Sequence, residues 1–154
     1  MVVSLKYAVV ERERRFLIGA IPPGPAARRT IIDRYVIGTR LRLREVRERD
    51  GSVTRKLTHK VRLGEDASEI ACTNMYLDDA EWTLLQAMPA RVLAKTRHLI
   101  TRDGVTVAVD EFADGTLLAE IDDGDRTSPD VPTWLDVIED VSADERWTGA
   151  ALAR

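Results

Sequence analysis

Apolar and polar positions alternate along most of this chain with a period of two, the spacing of strands that show a different environment to each face. Lys6 to Ile18 has its apolar residues at Tyr7, Val9, Val10, Phe16, Leu17 and Ile18, which fits no helix face. As a strand, the run places Glu11, Glu13 and Arg15 side by side. Pro22-Pro23-Gly24-Pro25 then removes backbone donors and makes a loop. Thr30 to Ile37 is β-branched and aromatic and predicts a second strand. Gly38-Thr39 turns into Arg40-Leu41-Arg42-Leu43-Arg44, a strict alternation. Asp50-Gly51 is a hairpin signal leading into Val53 to Leu63, where Lys56, Thr58, Lys60 and Arg62 share a face. A fifth strand is expected from Ser68 to Tyr76.

The period changes once. Asp78 with Glu81 reads as a capping box for a helix over Asp79 to Met88, stopped by Pro89. Arg91 to Thr101 returns to strand, with Lys95, Arg97 and Leu99 on one face. Asp103-Gly104 and Asp114-Gly115 turn it into Val105 to Phe112 and Thr116 to Asp122, where Leu118, Glu120 and Asp122 share a face. Residues 123–132 form a loop, and Ser142 with Glu145 predicts a second capping box for a short helix through Trp147 to Leu152. About eight strands joined by tight turns, with two helices, predict an antiparallel meander able to close on itself as a barrel.

Composition changes this picture little. The 154 residues are enough for one domain with a real core, and 32% charged with 44% hydrophobic residues is ordinary for a folded protein. A net charge of -3 argues against a non-specific nucleic-acid binder. The single cysteine, Cys72, precludes an internal disulfide framework and fits a reducing compartment. The opening residues have no signal-peptide pattern and no segment approaches a membrane span, so the expected location is cytoplasmic.

Charge on one strand face alone would be an ordinary solvated surface. Here it recurs on several strands. Same-face neighbours lie roughly 6.5–7 Å apart, and each like-charge pair costs on the order of 2 kcal/mol at an effective dielectric of about 20. If these faces converge inside a barrel, Arg40, Arg42, Arg44, Lys60, Lys95 and Arg97 need acids or an anionic ligand among them, and Glu11, Glu13, Glu120 and Asp122 are the available acids. Such a lumen suits a polyphosphate with a divalent metal. An internally salt-bridged barrel with no ligand fits the charge pattern equally well. His59 and His98 alternate away from Lys60 and Arg97, and Cys72, Trp82 and Trp134 read as packing residues. There is no zinc cluster and no phosphate-binding glycine loop.

Several blocks, in order, resemble the CYTH superfamily of triphosphate tunnel metalloenzymes. They are Glu11-Arg12-Glu13-Arg14-Arg15-Phe16-Leu17, Arg40 to Arg44, Leu57-Thr58-His59-Lys60 and Lys95-Thr96-Arg97. Asp110-Glu111-Phe112, Ala119-Glu120-Ile121-Asp122 and Asp140 to Trp147 follow. The resemblance implies a mainly β fold of the α+β kind, an eight-stranded antiparallel closed tunnel with a few short helices, spanning 1–154 as one domain. It implies a Mg²⁺- or Mn²⁺-dependent triphosphatase acting on inorganic triphosphate or a related compound. Glu11, Glu13, Glu120 and Asp122 would hold metal; Arg15, Arg42, Arg44, Lys60, Lys95, Arg97 and Arg146 would bind phosphates; Glu13, Glu120 and Lys60 form the catalytic set. An adenylyl cyclase or a non-catalytic polyphosphate binder are the alternatives. The expected partner is a small-molecule triphosphate, with neither nucleic acid nor membrane, and the chain as monomer or homodimer. Three positions depart from the family pattern. Arg15 stands for a lysine, Asp122 for a glutamate, and Ser68 to Tyr76 carries only Glu69 where many relatives have more acid.

Overall fold

The computed structural model describes residues 4–126 and 130–154, so the start of the opening stretch and positions 127–129 of the expected loop lie outside the described residues. The strands are β1 (Val9–Ile18), β2 (Ala27–Val36), β3 (Leu41–Glu48), β4 (Val53–Arg62), β5 (Glu69–Tyr76), β6 (Ala90–Arg102), β7 (Val105–Glu111), β8 (Leu117–Asp122) and β9 (Val137–Asp140). Two short helices, α1 (Asp79–Leu85) and α2 (Gly149–Leu152), and a 3-10 turn at Glu145–Trp147 complete them. The sheet order is β5-β4-β3-β2-β6-β7-β8-β1, and β1 pairs back onto β5 to close an eight-stranded antiparallel barrel. One edge of β1 is shared, with β5 along Val9–Arg12 and β9 along Phe16–Ile18, while β8 takes the other edge.

Local chemistry explains the connections. Asp103 and Gly104 both have positive φ, 52° and 75°, the backbone a two-residue hairpin needs to match strand twist between β6 and β7. Asp78 and Glu81 form the expected capping box, but α1 ends at Leu85, short of Met88. The second expected box does not form. Ser142 is engaged by Arg15, so Asp144 caps the 3-10 turn and Thr148 caps α2, dividing the expected helix in two. Strand β9 was not expected, because its four residues are all exposed and carry no alternation of burial.

The main apolar cluster lies outside the ring. Phe16 and Ile18 of β1, Ile100 of β6, Val107 and Val109 of β7, and Ala119 and Ile121 of β8 pack with Leu135, joined by Ile21 and Trp134. Each such side chain of Val, Ile or Phe size contributes about 1.5–3 kcal/mol when fully buried. Alternation does the sorting. The residues between them (Glu13, Arg15, Asp110, Glu120) face the other way, into the barrel.

Candidate functional site

The barrel encloses a cavity of about 530 Å³ lined by ten basic side chains and three carboxylates. Strand β1 supplies Glu11, Glu13 and Arg15; β3 and the turn before it supply Arg40, Arg42 and Arg44; β4 supplies Lys56, Lys60 and Arg62; β6 supplies Arg91, Lys95 and Arg97; β8 supplies Glu120. Tyr35, Thr148, Gly149 and Ala150 form part of the wall. Of the residues expected at the site, the structure thus gathers Glu11, Glu13, Arg15, Arg42, Arg44, Lys60, Lys95, Arg97 and Glu120. Two are placed elsewhere. Asp122 is exposed and its Oδ1 accepts from the backbone N–H groups of Arg12 and Gly124, so it shapes the end of β8. Arg146 is 84% exposed in its side chain and pairs with Asp144.

Two carboxylates that sequence reasoning gave no role neutralise part of the lumen. Asp33, fully buried, accepts from Arg44 Nε at 2.6 Å and Nη2 at 2.7 Å, with Arg42 Nε at 3.8 Å. Asp110, also fully buried, accepts from Lys95 Nζ at 2.5 Å and Arg97 Nε at 2.6 Å. The signal for Asp33 was its parity with Tyr35 and its register opposite Arg44. Burial pushes the Asp33 carboxyl up, but the Arg44 bonds and the charges of Arg44 and Arg42 outweigh it and hold it well below the usual carboxylate range. Lys56, another lumen cation without an expected role, has its ammonium pKa lowered by burial and then by Arg44 and Arg42.

The remaining acids behave differently from one another. Burial raises Glu120, yet Arg97, Lys95 and Lys60 bring it down to about 2; Arg97 Nη2 donates to it at 2.6 Å. Glu11 lies 3.8 Å from Lys60 Nζ and accepts a 3.0 Å bond from the Cys72 thiol. Cys72 is therefore buried, as expected, but engaged in a polar contact, and burial pushes its thiol up to about 12. Glu13 takes part in no ion pair among the described residues. Burial and then the charge of Glu120 raise its pKa, against the pull of Lys60. Strand β5 offers no acid here, since Glu69 pairs with Arg12.

Three carboxylates that repel one another, one of them without a cation partner, are a donor set suited to a hard divalent ion. They are not drawn together around a point. Among the described residues, no three His, Cys, Asp or Glu side chains stand close enough to hold a metal. The chemistry fits such an ion, and Glu13 is the residue with oxygens to spare.

No protein-family model matches the chain. No curated protein matches it either. Solved structures do. The protein NE1496, described in one structure as a hypothetical protein and in another as an inorganic triphosphatase, aligns with TM-scores of 0.59 and 0.56 at 24% identity. The alignments cover 93% of this chain and 97% and 93% of NE1496. A conserved hypothetical protein from Pyrococcus furiosus aligns over 79% of this chain and 81% of its own, with a TM-score of 0.55 and 20% identity. At these identities the likeness is one of fold.

Proposed function

We propose that this protein is a divalent-metal-dependent triphosphatase that hydrolyses the terminal phosphoanhydride of inorganic triphosphate or a related triphosphate inside its tunnel. The observation that carries this reading is the cavity lining, ten cations against three carboxylates in an enclosed space of about 530 Å³. The fold it shares with NE1496, a protein described as an inorganic triphosphatase, supports it.

The cations divide the work. Lys95, Arg97 and Arg44 are locked in place by Asp110 and Asp33, so they present fixed positive charge at no further cost in ordering. Lys60 and Lys56 face the cavity with less restraint and follow the phosphates as charge shifts outward onto the leaving group. Glu11, Glu13 and Glu120 would hold Mg²⁺ or Mn²⁺, which supplies charge neutralisation at phosphate oxygens when bound. Glu13, which takes part in no ion pair among the described residues, would orient the attacking water. Arg42 donates to Thr58 at 3.1 Å, and Thr58 donates to Asn74 at 2.7 Å, a polar chain that keeps this fork facing inward.

Release of orthophosphate from tripolyphosphate with Mg²⁺ or Mn²⁺ tests the proposal, and Glu13→Gln is expected to lower turnover by at least about 10²-fold. Turnover that survives this substitution removes Glu13 from the mechanism. A second reading, a non-catalytic polyphosphate binder, is favoured by the carboxylates not converging. It predicts saturable triphosphate binding with no orthophosphate release in either metal.

A further inference from the structure

Arg15 differs from the other lumen cations in what its guanidinium touches. Arg44, Lys95 and Arg97 pair with Asp33 and Asp110, whereas Arg15 takes part in no ion pair among the described residues. Its Nη2 donates to two backbone carbonyls, Ala67 at 3.3 Å and Ser142 at 3.1 Å. Its Nε is sealed from solvent with no partner, and the residue is only 3% exposed. The two carbonyls belong to different pieces of the rim. Ala67 sits in the β4–β5 connection, and Ser142 in the segment between β9 and α2. The backbone of Arg15 holds the same segment, donating to Ser142 Oγ at 2.9 Å and accepting from the Val141 N–H at 2.9 Å. Further on, Arg62 grips Glu145 at 2.8 Å, and the chain then lines the cavity at Thr148 to Ala150.

We infer that Arg15 is a positioning residue, a clamp that fixes the β4–β5 connection and the C-terminal segment against each other over the lumen. A ligand finds Nε inaccessible and Nη2 already donating to two acceptors, which leaves only Nη1 of the fork without an acceptor among the described residues. A lysine carries charge to the same place but has a compact ammonium in place of a rigid fork spanning two acceptors. Arginine at this position thus joins two rim segments while keeping a positive charge in the wall. The kinetic consequence rests on the triphosphatase reading; the structural one does not.

The test pairs amide hydrogen exchange with triphosphate kinetics in Arg15→Lys and Arg15→Met. A clamp predicts that both variants speed exchange at the Val141 and Asp144 amides by about tenfold, as expected when local opening loses two hydrogen bonds. It also predicts that Arg15→Lys lowers kcat several-fold with KM within about twofold, since the other cations still bind phosphate while the wall is less well fixed. Unchanged exchange in Arg15→Lys, with KM rising more than tenfold in Arg15→Met, makes Arg15 a charge contact and overturns the inference. Absence of turnover in the wild type counts against the triphosphatase alone, because exchange still reports on the clamp. Arg15→Lys keeps charge and approximate volume, so it decides the matter even if Arg15→Met fails to fold.

Discussion

Asp33 shows how a residue can serve a site without touching what the site binds. It receives a bidentate arginine at 2.6 and 2.7 Å where no water reaches it. Removing one partner of such a buried pair leaves the other charge stranded, so Asp33→Asn should destabilise the protein by about 3–5 kcal/mol at neutral pH, measured by urea unfolding. The pH dependence has a definite sign. A carboxyl held below its unfolded pKa contributes stability that is present above the ordinary value of 3.8 and is lost as pH falls towards its own lower pKa. The gap between wild type and Asp33→Asn should therefore narrow below about pH 3.8; a gap constant from pH 7 to pH 2 would mean the ion pair is not its source. Glu13 works the opposite way. With its pKa raised above 4.5, its ionisation costs stability as pH rises, so Glu13→Gln should raise the neutral-pH Tm of metal-free protein by a few degrees. Which cations share a strand face was legible from parity alone, whereas their facing inward and the structural use of Asp33 were not, because both depend on which strands lie side by side.

Among the elements, the hairpins were the easiest to read and the C-terminal segment the hardest. Asp103-Gly104 specifies its turn by backbone sterics and needs no tertiary partner. Strand β9 has no such local code. Its residues are all exposed, and it forms because β5 leaves part of one β1 edge open. The Ser142–Glu145 spacing was right for a cap but lost to a tertiary competitor, since Ser142 Oγ bonds the Arg15 backbone. Helix α2 depends on the absence of a side chain. A Cβ at Gly149 would come 1.9 Å from Tyr35 Oη, so the hydroxyl occupies the space that any other residue would fill. Burial and then the Asp33 charge push that hydroxyl up to about 12, which keeps it protonated. Gly149→Ala should therefore cost about 1–3 kcal/mol or displace α2, seen as faster proteolysis after Thr148. Tyr35→Phe should rescue it in part, because the ring carbon still lies 2.9 Å from the added methyl. Full activity and unchanged proteolysis in Gly149→Ala would show that α2 shifts at no cost.

At the scale of the whole molecule, the protein has a net charge of -3 yet holds a strongly positive interior. The total conceals the distribution. In EDTA, inorganic triphosphate at about a hundred times its Kd should stabilise the fold by about 2.7 kcal/mol, read as a rise in Tm. Raising KCl from about 0.05 to 0.5 M should shrink that shift as the ions screen the contact. No shift at either salt would remove polyanions from consideration. Closure of the ring was legible only indirectly. Nothing in Val9–Arg12 or Glu69–Cys72 names the other as partner; the expectation came from about eight strands joined by tight turns and from the family resemblance. No helix of the described residues is long and apolar enough to cross a membrane.

The apolar packing beneath Leu135 and Trp134 holds the wall together from its outer side. Apart from the buried anchors Asp33 and Asp110, odd and even letters of the same strands thus carry separate instructions, one for keeping the vessel intact and one for what it will accept. Drift in the second can respecify the contents, exchanging a lysine or an acid for something new, while the first goes on being copied unchanged.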